Sequence, residues 1–279
     1  MPYITTKDKT ELYVKDWGSG QPVILLHGWP LSSDSWDDQA MAIAEAGYRA
    51  IAYDRRGFGR SSQPWNGYDY DSLSDDLAAV IKYTGEKNVI IIGFSMGGGE
   101  VARYMSRHKG KSVAKAGLIA SVLPFRLKTK NNPTGTEQKA FDKTAKALKE
   151  DRAKFLTGFF NAFFGVGAPG DTASGNTVSD ELLRTMHNIA MQGSPKATLE
   201  CLKSFSSTDF RGDLAHFKVP TLIIHGTEDQ TVPIAASSRL AAKSISQSQL
   251  IEYEGAPHGL FVTHKDKLTK DLLKFIRKK

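Results

Sequence analysis

A single serine stands among glycines in the stretch GFSMGGGE, residues 93–100, directly after the apolar run VIII. The apolar run predicts a buried strand, and the following EVARYMSRH predicts a helix. In a G-x-S-x-G turn between a strand and a helix, the glycines let the backbone bend sharply enough to expose the serine hydroxyl. Ser95 is therefore the candidate nucleophile, although a hydroxyl needs a base to react at neutral pH.

The base for this serine must come from the seven histidines of the chain. His258 lies in GAPHGLFV after the last predicted strand, and such loops at the carboxyl ends of strands build the sites of open α/β sheets. His27 and His225 each end an apolar strand, which places them near the site or in the core. An acid must orient the imidazole, and HGTEDQTVP supplies Glu228 and Asp229. The chain order serine, acid, histidine is one that known triads use.

An acyl-transfer site also needs N–H donors for the negative oxygen of its intermediate. The residue after the nucleophile, Met96, provides one backbone N–H, and the loop after an early strand provides the other. LLHGWP is in that position, so the backbone N–H of Trp29 is the second candidate. The indole of Trp29 alternatively belongs to the core.

The composition is that of an ordinary globular protein, with 279 residues of which 40% are hydrophobic and 24% charged. The net charge is +7, but the lysines are scattered and no nucleic-acid motif accompanies them, so we expect no nucleic-acid partner. The single cysteine, Cys201, excludes an internal disulfide, and we expect it to be a buried small hydrophobe. We see no signal-peptide pattern and no membrane-spanning stretch, so we expect a cytoplasmic protein without membrane contact.

Strand and helix patterns alternate at both ends of the chain. Apolar runs such as PVILLHG and YRAIAYD are separated by amphipathic stretches such as YDSLSDDLAAVIKYTG, which predicts a mostly parallel sheet. The alternation stops near residue 124, where amphipathic stretches and a loop at 165–177 follow, and it resumes at VPTLIIHG. We therefore predict an α/β core from residues 1–123 and 217–279, with a helical insertion at 124–216.

Four blocks together resemble the α/β-hydrolase family over essentially the full length of the chain. They are KDWGSGQPVILLHGWP, YRAIAYDRRGFGRSSQPW, IIGFSMGGGEVARYMSRH, and VPTLIIHGTEDQTVP with APHG. They are most similar to those of the cofactor-free bacterial haloperoxidases and arylesterases. The spacing G-x-x-D-x-x-V-P is common in the acid loop of that fold, and IASVLPF has no carboxylate for the alternative acid position. Both features favour Asp229 over Glu228.

The resemblance implies an α/β-hydrolase fold, a mostly parallel twisted sheet flanked by helices, with the insertion as a helical cap. It implies a Ser–His–Asp hydrolase of small acyl or aryl esters or lactones, with no metal, haem or other cofactor. Such enzymes also make peracids from hydrogen peroxide and short carboxylic acids, and Pro30 resembles the haloperoxidase-type members. Many members form trimers or larger assemblies, so we expect a homo-oligomer. The alternatives are a lactam hydrolase and a non-catalytic small-ligand receptor.

Aromatic residues of the insertion carry a prediction about substrate size, because their positions resemble the pocket wall of the arylesterases. The residues predicted to line a tight apolar pocket are Trp29, Phe94, Phe125, Phe160, Phe164 and Ile234. Such a pocket predicts a small acyl group rather than a long fatty chain. The phenylalanines of the insertion alternatively pack as its own core.

Overall fold

A computed structural model describes residues 3–167 and 178–278 of the protein. The strands in this part of the chain are β1 (Tyr3–Thr5), β2 (Glu11–Gly18), β3 (Pro22–Leu26), β4 (Arg49–Tyr53), β5 (Val89–Phe94), β6 (Val113–Ile119), β7 (Thr221–Gly226) and β8 (Ser248–Tyr253). They form one sheet in the order β1-β2-β4-β3-β5-β6-β7-β8. β2 is antiparallel to both β1 and β4, and the other neighbours are parallel. The predicted mostly parallel α/β sheet is confirmed.

Helices follow most of the strands. Those of the described residues are α1 (Asp37–Glu45), α2 (Tyr70–Thr84), α3 (Met96–Arg107), α4 (Gln138–Glu150), α5 (Arg152–Phe164), α6 (Asp180–Met191), α7 (Pro195–Ser207), α8 (Ser238–Ser244), α9 (Leu260–Thr263) and α10 (Lys265–Arg277). Among these helices, none combines the length and the apolar character that crossing a membrane requires.

Both faces of the sheet are covered by helices, which explains why its central strands are continuous apolar runs. In β3, Val23 and Leu25 belong to one buried cluster with side chains of α1 and α10. Ile24 and Leu26 belong to the opposite cluster with side chains of α2 and α3. Because successive side chains of a strand point to opposite faces, every residue of such a run is buried.

The segment between β6 and β7 contains α4 to α7. The amphipathic stretch at 137–160 is divided at Asp151, whose side chain accepts a hydrogen bond from the backbone N–H of Lys154 at 2.9 Å and so begins α5. α7, which was not predicted, begins at Pro195 behind a similar cap from Ser194. Most of the predicted loop at 165–177 lies outside the described residues.

The carboxyl ends of β5 to β8 meet at one edge of the sheet, because these four strands are parallel neighbours. Ser95 follows β5 directly, Asp229 lies in the loop after β7, and His258 lies in the loop after β8. The fold therefore brings three segments that are far apart in sequence to the same edge.

Candidate active site

Ser95 occupies the sharp turn between β5 and α3, with φ 53° and ψ −114°. This is a region that residues other than glycine rarely adopt. A Cβ atom at Gly93 would lie 2.4 Å from the carbonyl oxygen of Gly97, and one at Gly97 would lie 2.6 Å from that of Leu26. The turn therefore requires glycine at both positions. The N–H of Ser95 donates to the carbonyl of Ile119 at 2.8 Å, which holds the turn against β6.

Ser95, His258 and Asp229 form one chain of hydrogen bonds. Nε2 of His258 lies 2.9 Å from Oγ of Ser95, and its Nδ1 lies 2.6 Å from Oδ2 of Asp229. An ionised carboxylate only accepts hydrogen bonds, so Nδ1 carries the hydrogen of the neutral ring and Nε2 accepts from the serine hydroxyl. All three side chains are buried. The arrangement can remove the serine proton while Oγ attacks an acyl carbon.

Four N–H groups lie within 3.0 Å of the Asp229 carboxylate. Oδ1 accepts from the backbone N–H groups of Thr231 at 2.9 Å and Val232 at 2.7 Å. Oδ2 accepts from Nδ1 of His258, and Nε2 of His225 lies 3.0 Å from the same oxygen. Burial by itself raises the pKa of Asp229, but the charge of His258 and the hydrogen bonds from both histidines outweigh burial and hold this pKa well below its ordinary value.

The sequence places His225 either near the site or in the core. In the structure it is buried and lies beside Asp229, the candidate acid. Its Nε2 faces two acceptors, the Asp229 carboxylate and, at 2.8 Å, the carbonyl oxygen of Val232. Nε2 therefore carries the hydrogen. Nδ1 then accepts from the hydroxyl of Ser238 at 2.7 Å. The sequence signal for this contact was the position of His225 at the end of the strand that precedes the acid loop.

His27 lies in a different buried group. Its Nε2 accepts from the backbone N–H of Arg55 at 2.9 Å, and Nε of Arg55 donates to Glu100 at 2.6 Å. Burial and the charge of Arg55 lower the pKa of His27 well below its ordinary value. The structure therefore brings His258, and not His27, to the serine.

The backbone N–H groups of Trp29 and Met96 have no hydrogen-bond acceptor among the described residues. Met96 begins α3, and the first N–H groups of a helix have no partner within it. The indole of Trp29 is buried and donates through Nε1 to the carbonyl oxygen of Thr198 at 3.0 Å, which ties its loop to α7. Both N–H groups are free to bind a substrate oxygen.

A cavity of about 340 Å³ contains the side chains of Ser95 and His258 in its wall. Small-molecule sites commonly have volumes of roughly 300–1,000 Å³ and mainly apolar walls. The other residues of the wall are Trp29, Val122, Arg126, Thr136, Ala140, Phe141, Thr144, Phe155, Phe159, Leu202, Phe205, Gln230, Thr231, Val232 and Pro233. The cavity thus lies between the loops of the sheet edge and the helices that follow β6.

Of the six residues predicted to line the pocket, Trp29 does so and five do not. The prediction was wrong for Phe94, Phe125, Phe160, Phe164 and Ile234. On α5 the face towards the cavity carries Phe155 and Phe159 instead. Successive residues of a helix are rotated by about 100°, so the neighbouring pair at 160 and 164 faces elsewhere.

Phe94 and Phe163 pack against the imidazole of His258 rather than the cavity, with ring centroids 5.1 Å and 4.8 Å from it. Phe160 and Phe164 pack on Phe163, at 5.7 Å and 4.9 Å. These phenylalanines therefore pack together behind the imidazole of His258.

The remaining two mispredicted residues are also buried away from the cavity. The ring of Phe125 packs against Arg211, whose guanidinium carbon is 5.2 Å from the ring centroid. Ile234 begins a short 3₁₀ turn, and the cavity is lined by the four residues before it, 230–233.

Cys201 is buried on α7, which confirms the expectation for it. Burial raises the pKa of its thiol to about 12. No group of three or more His, Cys, Asp and Glu side chains in the described part of the chain is arranged to hold a metal ion.

The profile of the family described as alpha/beta hydrolase fold matches residues 21–265 of this sequence. The chain belongs to the alpha/beta hydrolase family. Among the relatives of this hydrolase is a non-heme haloperoxidase of Rhodococcus erythropolis, 43% identical over 277 residues that make up 99% of each chain. A bifunctional esterase/perhydrolase of Acinetobacter calcoaceticus is 42% identical over 280 residues, which are 99% of this chain and all of the relative.

Solved structures of similar proteins agree with this assignment. A bromoperoxidase from Bacillus anthracis matches with a TM-score of 0.91 and 43% identity over 96% of each chain. An esterase from Exiguobacterium antarcticum matches with a TM-score of 0.92 and 33% identity over 99% of each chain. The resemblance of the hydrolase to the haloperoxidase and esterase subgroup, stated from its motifs, is confirmed.

Proposed function

We propose that the hydrolase cleaves small acyl or aryl esters or lactones through an acyl-enzyme on Ser95, with perhydrolase activity at the same site. The observation that carries this proposal is the hydrogen-bonded chain from Ser95 through His258 to Asp229, which opens on the cavity. The names of the haloperoxidase and esterase/perhydrolase relatives support it. The relatives reported above give no support to a receptor or a lactam hydrolase.

In the first half-reaction, Oγ of Ser95 attacks the carbonyl carbon while its proton passes to Nε2 of His258. The resulting imidazolium is stabilised by the Asp229 carboxylate, which stays ionised. His258 then gives the proton to the leaving alcohol, and the acyl group remains on the serine. In the second half-reaction, water gives a proton to His258 and attacks the acyl-enzyme. His258 then returns that proton to Oγ of Ser95 as the acid is released.

The negative oxygen of each tetrahedral intermediate is assigned to the backbone N–H groups of Trp29 and Met96. Their lack of another acceptor supports this role, and so does the position of Met96 directly after the serine. Preorganised donors of this kind stabilise charge that develops only in the transition state, and loss of one donor lowers kcat by about 10²–10³-fold.

Perhydrolysis requires only a different second nucleophile. Hydrogen peroxide in place of water transfers a proton to His258 and takes the acyl group, which yields a peracid and regenerates the serine. A short carboxylic acid supplies the acyl group and loses water as the acyl-enzyme forms. The released peracid oxidises halide outside the site. This reaction needs no bound cofactor.

We propose that residues 124–216 act as a cap on a core formed by 1–123 and 217–279. The helices α4, α5 and α7 support this division, because they contribute Phe141, Phe155, Phe159 and Phe205 to the cavity wall. Bulky rings around a cavity of about 340 Å³ favour a small acyl group. We further propose that the protein is a cytoplasmic homo-oligomer, which light scattering and cell fractionation would test.

The decisive experiment compares Ser95→Ala with Ser206→Ala, a buried serine on α7 outside the cavity wall. With phenyl acetate we expect Ser95→Ala to lose about 10³-fold or more of kcat, while Ser206→Ala keeps its activity. Bromide oxidation in acetate and peroxide should require Ser95 as well. Full hydrolysis of phenyl acetate by a folded Ser95→Ala protein would overturn the proposal.

A further inference from the structure

Among the described residues of the cavity wall, Arg126 is the one whose side chain carries a permanent charge. It lies in the segment that leads from β6 to α4, two residues after Pro124. The other side chains of the wall are aromatic, aliphatic, hydroxyl or amide groups, apart from the imidazole of His258. An arginine placed in such a wall gives the cavity a fixed positive charge.

The protein supplies hydrogen-bond acceptors for only part of the Arg126 guanidinium. Nη2 donates to the carbonyl oxygen of Thr231 at 2.8 Å, whereas Nε is buried and has no hydrogen-bond partner. No carboxylate of the described residues pairs with it, although the buried Arg55 and Arg56 each donate to a carboxylate, at 2.6 and 2.7 Å. Burying an arginine donor without an acceptor destabilises a protein. A ligand that supplies the acceptor would remove this penalty.

We propose that Arg126 binds a free carboxylate on the substrate, so that the preferred esters carry a second, unreacting acid group. This inference deepens the proposed ester hydrolysis and rests on it. A guanidinium matches a carboxylate in charge and in its two-oxygen geometry. A doubly charged phosphate would find no second cation in the described part of the wall.

The position of Arg126 suits a substrate that spans the cavity. Its partner Thr231 belongs to the same loop as Asp229, and Arg126 lines the same cavity as Ser95 and His258. One small molecule can therefore present its ester to the serine and its carboxylate to the arginine. Half-esters of short dicarboxylic acids and acetoxybenzoates are the simplest members of this class.

A purely structural role predicts something different. If Arg126 only ties the segment after β6 to the Thr231 carbonyl, any donor of similar length would serve, and neutral and anionic esters would be affected alike. Glutamine retains an N–H donor but removes the charge. Lysine retains the charge but loses the planar fork.

The test compares kcat/KM for monomethyl succinate with its neutral isostere methyl levulinate, and for 4-acetoxybenzoate with phenyl acetate. In at least one pair the wild-type enzyme should favour the anionic ester. Arg126→Gln should lower that preference about 10- to 100-fold, mainly through KM, because a hydrogen bond between charged groups is lost. Arg126→Lys should retain part of the preference. Lys130→Gln removes an equal charge from an exposed position and should leave the preference intact.

Two results would overturn the inference: no preference for an anionic ester in either pair, or an equal loss on both members of a pair in Arg126→Gln. Turnover of phenyl acetate separates these results from failure of the proposed hydrolysis. Calorimetric titration with succinate and glutarate gives a reading independent of catalysis. Binding should occur in the wild-type protein and be lost in Arg126→Gln, and its absence from the wild-type protein would also count against the inference.

Discussion

Nε2 of His225 lies 3.0 Å from Oδ2 of Asp229, the same carboxylate oxygen that holds the ring of His258. Because His225 is not part of the cavity wall, we expect it to position the Asp229 carboxylate without contacting the substrate. Ser238 supports it from the other side through Nδ1. This relationship extends the hydrogen-bonded chain beyond the three residues that the sequence predicted.

Replacing His225 by Phe should lower kcat about 10- to 100-fold, because a hydrogen bond to a charged group contributes about 1.5–3 kcal/mol. KM should change less, since the contact stabilises the imidazolium that forms during reaction. Ser238→Ala keeps the imidazole and should have a smaller effect on kcat. Steady-state kinetics with phenyl acetate, together with thermal melts, would measure this. A stable His225→Phe protein with unchanged kcat would exclude a positioning role.

The pH dependence follows from the lowered pKa of Asp229. A carboxylate with a depressed pKa in the folded state contributes stability above its unfolded value of about 3.9, and this is lost as the pH falls through the folded value. Asp229 therefore stays ionised in weak acid. A fall of kcat/KM in weak acid should therefore not come from titration of Asp229.

A pH–rate profile with phenyl acetate would test this assignment alongside Asp229→Asn, which keeps the shape of the side chain. The variant should lose about 10²–10⁴-fold of kcat, because the amide no longer stabilises the imidazolium and can favour the wrong tautomer. Wild-type kcat in Asp229→Asn would show that another group serves as the acid.

Phe159 and Phe160 are neighbours on α5 with different surroundings, and they form a matched pair. Phe159→Ala should enlarge the cavity and raise the ratio of activity on octanoate to activity on butyrate esters about tenfold. This corresponds to burial of about two further methylenes of the acyl chain at about 0.8 kcal/mol each. Phe160→Ala should leave this ratio near its wild-type value and lower the free energy of unfolding by about 3–5 kcal/mol. Chain-length kinetics and denaturant titration would measure both, and a shifted ratio in Phe160→Ala alone would reverse the assignment.

Cys201 should be inert towards thiol reagents, because burial raises its pKa to about 12 and the thiolate is the reactive form. At pH 8, iodoacetamide should leave both the esterase activity and the mass of the folded protein unchanged. The thiol should become reactive in guanidinium chloride. Rapid labelling of the native protein would show that α7 opens far more often than its packing implies.

The sheet and the hydrogen-bonded chain could be predicted because they depend on strong local patterns. Apolar runs define the buried strands, and the glycines around Ser95 permit one kind of turn. Asp229 and His258 each follow a strand, so the parallel sheet was sufficient to bring them near the serine.

The wall of the cavity could not be predicted in the same way. Phe159 and Phe160 are identical residues, and only the packing of α5 decides which of them faces the substrate. The lack of an acceptor for Nε of Arg126 depends on loop conformation, which no spacing in the sequence predicts. The same holds for the contact between His225 and Asp229. The break between α4 and α5 likewise depends on a single side chain, Asp151, which caps the N-terminus of α5.

The backbone of Ser95 has a consequence for how this enzyme could change. Its dihedral angles, φ 53° and ψ −114°, are unfavourable for a side chain by about 1–3 kcal/mol, and glycine would relieve that strain. Thermal stability and catalytic activity therefore favour different residues at position 95. Selection for stability alone would favour glycine there, whereas selection for catalysis retains the serine.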